Sequence, residues 1–237
     1  MGRSDASPAI RPDAIRHVIF RTMARPRLKL LLVLFAVCTV AVVCAVPDAR
    51  RVLLQSAGRS LVADDPEEPV DIIVISVDAQ GAGVLEAADL VHRGLAGRVA
   101  LFSEPPRRID QEFMKRGMEY HDATALAMRQ LKALGVPVVE PMPRTAAGTE
   151  DEAVFLPGWC DRNGFRTIIF ISTSDHSRRT RRVLQRAMLG HGTRVLVRYS
   201  RYSEFNPDTW WSTRDGVRTE IIEFEKLLLD VLSHPLS

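Results

Sequence analysis

Cysteine is scarce in this 237-residue sequence, and its distribution excludes an internal disulfide in the folded part. Of the three cysteines, Cys38 and Cys44 lie in one apolar run, which leaves Cys160 alone in the rest of the chain. A chain of this length can bury a core large enough to be stable without disulfides. The sequence is therefore not that of a small disulfide-stabilised domain.

Several motifs that carry familiar chemistry are also missing. There is no HExxH, CxxC or paired-histidine pattern, so the sequence predicts no metal site. There is neither a GxSxG elbow nor a Walker loop. Gly81 and Gly83 follow the first predicted strand and could admit a phosphate, but Glu86 interrupts the GxGxxG dinucleotide fingerprint. The sequence therefore leaves any cofactor unknown.

Charge, proline and glycine are all missing from residues 30–46. If the run starts at Leu28 and Lys29 reaches back toward the headgroups, it is just long enough to cross a bilayer. We therefore predict a basic cytoplasmic tail at 1–27 and a transmembrane helix at 28–46. A cleavable signal peptide is the alternative, with Val43-Cys44-Ala45 as the possible cleavage site.

The orientation follows from the charges around this run. Seven of the 32 basic residues and two of the 29 acidic residues precede it, which leaves 25 basic and 27 acidic residues for the rest. The positive-inside bias predicts a single-pass protein of the inner membrane, with its C-terminal domain exported to the periplasmic side. That domain is nearly neutral, and no aromatics interleave with its arginines, so nucleic acid is not an expected partner.

The chain after the membrane run divides into a short connection and one domain. Apolar residues recur at helical spacing over 49–62, and Pro66 and Pro69 end this pattern. We therefore predict a membrane-proximal helix and linker at 47–69 and an α/β domain at 70–237.

Within that domain, short β-branched runs alternate with amphipathic helical patterns. The predicted strands are 71–77, 99–102, 136–139, 167–171 and 193–197, and the predicted helices are 83–95, 119–134, 150–163, 177–190 and 214–232. Such alternation predicts βαβ units and a three-layer αβα, Rossmann-like domain with a mainly parallel sheet. The longest predicted irregular connection is 103–117, a candidate binding loop.

The stretch 168–180 combines an apolar strand with a polar helix start. In open α/β sheets, ligands bind at the carboxyl ends of the strands, where helix N-termini favour anions. The candidate ligand-binding residues of this junction are Thr173, Ser174 and Arg179, and His176 is a candidate catalytic residue. Ser174 or Asp175 is a good N-cap. The dipole of the following helix predicts a neutral His176 ring, although an ordinary surface histidine is also compatible with this pattern.

A second helix start carries an acid. Thr149 and Glu152 have the spacing of a capping box, in which the hydroxyl and the carboxylate bind backbone amides of the same turn. A capped helix at the ligand edge would also hold the Glu152 carboxylate rigidly. We therefore regard Glu152 as a candidate general base and Thr149 as a candidate ligand-binding residue.

Taken in order, these landmarks resemble the YdcF/SanA/ElyC family of membrane-anchored envelope proteins over residues 61 to 229. The matching pieces are Leu61-Val62, Asp65-Pro66, strand 71–74, Leu134-Gly135-Val136-Pro137, Gly148-Thr149 with Glu152-Ala153, Thr173-Ser174 with His176 and Arg179, and Trp210-Trp211 with Glu223 and Lys226. The resemblance implies a three-layer αβα sheet with a ligand pocket at its carboxyl edge, to which Glu152, His176 and Arg179 carry over. It also implies a role in cell-envelope biogenesis or barrier function, through an anionic or lipid-linked glycan ligand.

The sequence departs from the family pattern at the phosphate-binding turns. The glycine-rich turn after the first strand is Asp78-Ala79-Gln80-Gly81, and Ser-Gly-Gly after the second strand is Ser103-Glu104-Pro105-Pro106. Gly81 and Ser103 remain candidate ligand-binding residues, and the family's glutamate in the next helix falls on Thr124. Two functions stay open: an enzyme that processes an envelope precursor, and a non-catalytic module that senses or scaffolds a nucleotide-like or lipid-phosphate ligand.

Overall fold

The computed structural model describes residues 30–31, 33–35, 37, 45–120, 123–142 and 147–235. The predicted tail at 1–27 and most of the predicted transmembrane helix at 28–46 lie outside these residues. Within the ranges that the model describes, no helix combines the length and the apolar character needed to cross a bilayer.

The main compact unit begins at Leu54, inside helix α1 (Pro47–Ser60), so it includes residues that the sequence predicts to be a linker. The Trp210 indole donates a hydrogen bond to the Leu54 carbonyl, and Leu61 is buried against Phe205. The Asp65 carboxylate accepts a hydrogen bond from the Val197 amide. The segment before the first strand is thus packed onto the domain by both apolar and polar contacts.

Five strands form one all-parallel sheet in the described part of the chain. They are β1 (Ile72–Ile75), β2 (Arg98–Leu101), β3 (Val138–Pro141), β4 (Thr167–Ser172) and β5 (Arg194–Tyr199), in the spatial order β3-β2-β1-β4-β5. The central strands are rich in buried isoleucine and valine, which suits a sheet covered on both faces. This confirms the predicted Rossmann-like α/β fold, in which strand order reverses between β1 and β4.

Helices cover both faces of the sheet. The remaining helices are α2 (Gln80–His92), α3 (Arg108–Lys115), α4 (Ala123–Ala133), α5 (Thr149–Asn163), α6 (Ser177–Ala187) and α7 (Arg214–Ser233), with a short 3₁₀ turn at Trp210–Ser212. Alternate residues of β1 point to opposite layers, because Ile72 packs with the α5 and α6 side and Ile73 with the α2 and α4 side. The three-layer arrangement follows from these two cores.

One predicted loop contains a helix. The stretch 103–117 is not irregular throughout, because α3 spans Arg108–Lys115. Its first turn is closed by Asp110, whose carboxylate accepts a hydrogen bond from the Arg107 amide. The sequence pattern did not predict this helix, because the pair Pro105-Pro106 just before it is a strong loop signal.

Replacing Gly83 with alanine is expected to destabilise the domain by about 1–2 kcal/mol, because overpacking outweighs the gain in helix propensity. A Cβ at Gly83 would lie 2.6 Å from Cγ2 of Ile75 and 2.8 Å from Cβ of Ala79, where α2 packs on β1. The matched control is Gly81→Ala, whose Cβ would meet nothing within 4 Å. Denaturant unfolding of both variants checks this, and equal stabilities would contradict it.

Candidate functional site

A cleft of about 690 Å³ lies at the carboxyl edge of the sheet, and we call it the carboxyl-edge cleft. Its size suits a small ligand of several functional groups. It is built from the β1–α2 turn, the β4–α6 turn, the loop after β5 and one face of α7. Its lining residues are Asp78, Ala79, Gln80, Gly81, Ala82, Thr173, Asp175, His176, Arg179, Tyr202, Ser203, Glu204, Phe205, Thr219, Glu223 and Lys226.

His176 lies between two carboxylates at the base of this cleft and is only 7% exposed. Its Nδ1 is 3.2 Å from Oδ2 of Asp175 and 3.1 Å from Oγ1 of Thr173. On the other side of the ring, Nε2 is 3.4 Å from Oδ2 of Asp78. The turns that follow β1 and β4 therefore each place a carboxylate beside this imidazole, because the two strands are neighbours in the sheet.

These contacts decide the charge of the ring. Burial, the largest single influence, favours neutral imidazole, but the carboxylates of Asp175 and Asp78 together outweigh it and raise the pKa of His176 to about 9. The His176 ring, whose Nε2 lies 3.4 Å from Oδ2 of Asp78, in turn lowers the pKa of Asp78. The helix dipole predicts a neutral ring, and the structure differs because two acids close to the ring outweigh a partial charge.

Glu152 is fully buried at 0% exposure, and its carboxylate binds the β1–α2 turn that carries Asp78. Its Oε1 accepts a hydrogen bond from the Val77 amide at 2.8 Å, and its Oε2 accepts one from the Ser76 hydroxyl at 3.1 Å. Burial raises the pKa of Glu152 to about 7. Both oxygens are engaged by the residues just ahead of Asp78, so Glu152 holds the β1–α2 turn and does not line the cleft.

The predicted capping box is wrong. Gly148, not Thr149, is the N-cap residue of α5, and the Glu152 carboxylate leaves its own helix to bind the β1–α2 turn. The local acid is Asp151, whose Oδ2 accepts a hydrogen bond from the Ala147 amide. The sequence spacing predicted a hydrogen bond within the first turn of α5, whereas the fold places the donors Ser76 and Val77 of the β1–α2 turn beside this carboxylate.

The structure divides the six predicted ligand-binding residues into two groups. Thr173, Arg179 and Gly81 line the cleft. Thr149, Ser174 and Ser103 are buried and are absent from the lining in the part of the chain described here. Ser174 donates a hydrogen bond to the Phe205 carbonyl, and Ser103 accepts one from Thr124, so both have structural partners.

The predicted N-caps of α6 also have other roles. The N-cap position of α6 is His176, without a side-chain cap bond. Ser174 supports the loop after β5, and Asp175 binds the ring of His176. Ser174 therefore has a partner far along the chain, whereas Asp175 binds the ring of the residue that follows it.

Arg179 and α7 complete the far wall of the cleft. The Nε of Arg179 is 3.8 Å from Oε2 of Glu223, and its Nη1 is 3.9 Å from Oε1 of Glu150. The Lys226 ammonium donates a hydrogen bond to Oε1 of Glu223 at 2.6 Å. Glu223 and Lys226 thus form an i,i+3 ion pair, which the fold places in the cleft.

Comparison with family models, with curated proteins and with solved structures found no match. The resemblance to the YdcF/SanA/ElyC family remains a prediction that rests on the motifs named above.

Sequence reasoning missed several residues of the cleft. Asp78 and Asp175 could have been found, because both directly follow the apolar core of neighbouring parallel strands. Tyr202, Ser203 and Glu204 follow β5 and carry the same signal. The approach of α7 to this edge has no such signal, because a helix pattern predicts an apolar face without saying which part of the sheet it meets.

A second cavity of about 210 Å³ adjoins the cleft at Gln80 and Gly81. Its walls are mainly apolar side chains of β1, β2, α2 and α4, with Tyr120 among them. Gln80 has a φ of 37°, which is uncommon for a residue other than glycine. The turn between the two cavities is therefore strained, a feature that is concentrated at ligand sites.

Proposed function

We propose that this protein is a membrane-anchored, exported protein of cell-envelope biogenesis or barrier function, which binds and processes a phosphorylated or lipid-linked glycan precursor in the carboxyl-edge cleft. The observation that supports this most is the His176 ring between Asp78 and Asp175, with the guanidinium of Arg179 lining the same cleft. The order of motifs that resembles the YdcF/SanA/ElyC family supports the envelope role and the localisation.

The charges of the cleft suit a ligand that has both an anionic group and hydroxyls. Arg179 and Lys226 are the cations of its lining, and a guanidinium binds phosphate in a bidentate manner. Thr173, Ser203 and the carboxylates offer partners for sugar hydroxyls. A purely apolar ligand would leave these polar groups desolvated and unpaired.

His176 and Asp78 supply the proton transfers of the proposed reaction. A protonated His176 can donate to a leaving oxygen. The lowered pKa of Asp78 keeps its carboxylate ionised, so it is free to accept a proton from an incoming hydroxyl or water. Glu152 acts through the turn that carries Asp78, so its role is positioning. This replaces the pairing of Glu152 and His176 as base and acid.

Replacing Arg179 with methionine is expected to weaken binding of a phosphorylated ligand about 10-fold or more, because a charge-assisted contact contributes about 1.5–3 kcal/mol. The full-length protein, purified in detergent, is tested with lipid-linked sugars, phosphoesters and nucleotides by thermal shift and turnover. Arg129→Met on the exposed face of α4 is the control for loss of charge. A panel without any thermal shift would contradict the proposal.

Replacing His176 with glutamine is expected to lower turnover about 10²- to 10⁴-fold while the protein still binds its ligand, as for loss of a general acid. The same variant, folded and correctly localised, is expected not to restore an envelope defect in a deletion strain. Full restoration would rule out the catalytic role of His176.

A non-catalytic binding module is the second candidate. It is favoured by the engagement of both Glu152 oxygens, which removes one of the two expected catalytic groups, and by Gln80 in place of a glycine turn. A ligand that raises the melting temperature without turnover, with equal shifts for wild type and His176→Gln, would support the module over the enzyme.

A further inference from the structure

We propose that the carboxyl-edge cleft binds one divalent transition-metal cation between Asp175, His176 and Glu223. One potential ligand atom from each of these residues lies within 4.8 Å of the other two. Metal–ligand distances of about 2.0–2.2 Å place opposite ligands roughly 4 Å apart, so small side-chain rotations close the remaining gap. A nitrogen and two carboxylates, brought together from the β4–α6 turn and helix α7, form a mixed donor set.

Buried atoms without hydrogen bonds point to the same place. Glu223 is 8% exposed, and Lys226 donates a hydrogen bond to its Oε1. Its Oε2 is buried and makes no hydrogen bond, and it lies 3.8 Å from Nε of Arg179. His176 is 7% exposed, and its Nε2 likewise makes no hydrogen bond. Buried polar atoms nearly always have a partner in native proteins, and a cation would serve both.

The charge of the cleft also fits a dication. Four carboxylates line it, those of Asp78, Asp175, Glu204 and Glu223, against the cations Arg179 and Lys226. A metal that displaces the proton of the His176 ring therefore meets two uncompensated negative charges. A divalent ion neutralises them without displacing Arg179 from the wall of the cleft.

The donor set selects the kind of metal. Imidazole with carboxylates suits Zn²⁺ or Mn²⁺, whereas Mg²⁺ and Ca²⁺ prefer sites made only of oxygen. No ligand spacing in the sequence indicated this site, because Glu223 comes from α7, far along the chain from Asp175 and His176. The metal would bind a ring nitrogen of His176 in place of a proton, so His176 can act as an acid only in the metal-free cleft.

Metal binding is tested on the full-length protein in detergent, stripped with a chelator and titrated with Zn²⁺ and Mn²⁺ by calorimetry. We expect one ion per chain and tighter binding of both ions than of Mg²⁺. Glu223→Gln and Asp175→Asn are each expected to weaken binding at least about 10-fold, since even the loss of an outer-shell partner costs that much. Glu225→Gln, on the exposed side of the same helix, is the matched control and should bind as wild type does.

Circular dichroism and thermal unfolding confirm that each variant is folded. A crystal grown with Mn²⁺ is expected to show an anomalous peak between the three side chains. The proposal is overturned if neither metal binds saturably, or if Glu223→Gln and Glu225→Gln bind equally. No organic ligand enters this experiment, so its outcome is separate from that of the proposed function, whose ligand panel is run in the presence of chelator.

Discussion

Raising the pH from 6.5 to 9 is expected to lower the free energy of unfolding by about 3 kcal/mol through His176 alone. The pKa of this ring is raised from 6.5 to about 9 in the folded protein, because Asp175 and Asp78 outweigh its burial. Its protonation therefore stabilises the folded state fully below pH 6.5, and this stabilisation is lost as the pH rises through 9. Urea unfolding at a series of pH values measures the effect.

The difference between wild type and His176→Gln isolates this contribution. Glu152 also makes stability fall with rising pH, but its window lies lower, between 4.5 and about 7, because burial raises its pKa. Subtracting the curve of the variant removes that shared slope. His92→Gln, at an exposed position of α2, is the control for the substitution itself. If the free energies of unfolding of wild type and His176→Gln changed in parallel from pH 6.5 to 9, Asp78 and Asp175 would not raise the pKa of His176.

Replacing Glu152 with alanine is expected to lower the stability of the domain by about 2–4 kcal/mol. The substitution leaves the Val77 amide and the Ser76 hydroxyl without their buried acceptor, and each such loss costs about 1–3 kcal/mol. It also leaves a cavity, whereas the relief of a buried carboxylate offsets part of the loss. Denaturant unfolding at pH 7 measures the change.

Two matched variants make this result specific. Glu152→Gln retains one acceptor oxygen for the Val77 amide and should lose much less stability than the alanine variant. Glu150→Ala removes a carboxylate from the same first turn of α5, where its side chain is 75% exposed, and should change stability by less than about 1 kcal/mol. If Glu152→Ala were no worse than Glu150→Ala, Glu152 would not hold the β1–α2 turn.

The relation between Glu152 and Asp78 connects these stability predictions to the site. Glu152 fixes the amide of Val77, and the next residue is the Asp78 that faces Nε2 of His176. Loss of Glu152 should therefore loosen Asp78 and lower the midpoint of the His176 titration, which NMR of the imidazole protons can follow. A general loss of packing without effect on Asp78 would leave that midpoint unchanged.

The residue pattern by itself determined the strands of the domain and, apart from α3, its helices. Runs such as Ile168-Ile169-Phe170-Ile171 are too apolar and too β-branched for any place but a strand buried on both faces, and all five predicted strands overlap those observed. Alternation with amphipathic helices then predicted the parallel sheet and the edge at which ligands would bind. The prediction that His176 is a site residue followed from its position at that edge.

Only the tertiary structure decided the partners of the polar side chains. Glu152 was expected to cap its own helix, yet its donors come from the β1–α2 turn, and Glu223 reaches the cleft from α7. The reason is physical: secondary structure depends on local spacing, whereas a buried charge binds whichever donor the strand order brings near. The order β3-β2-β1-β4-β5 places Asp78 beside His176, and this contact cannot be read from the spacing of the two residues along the chain.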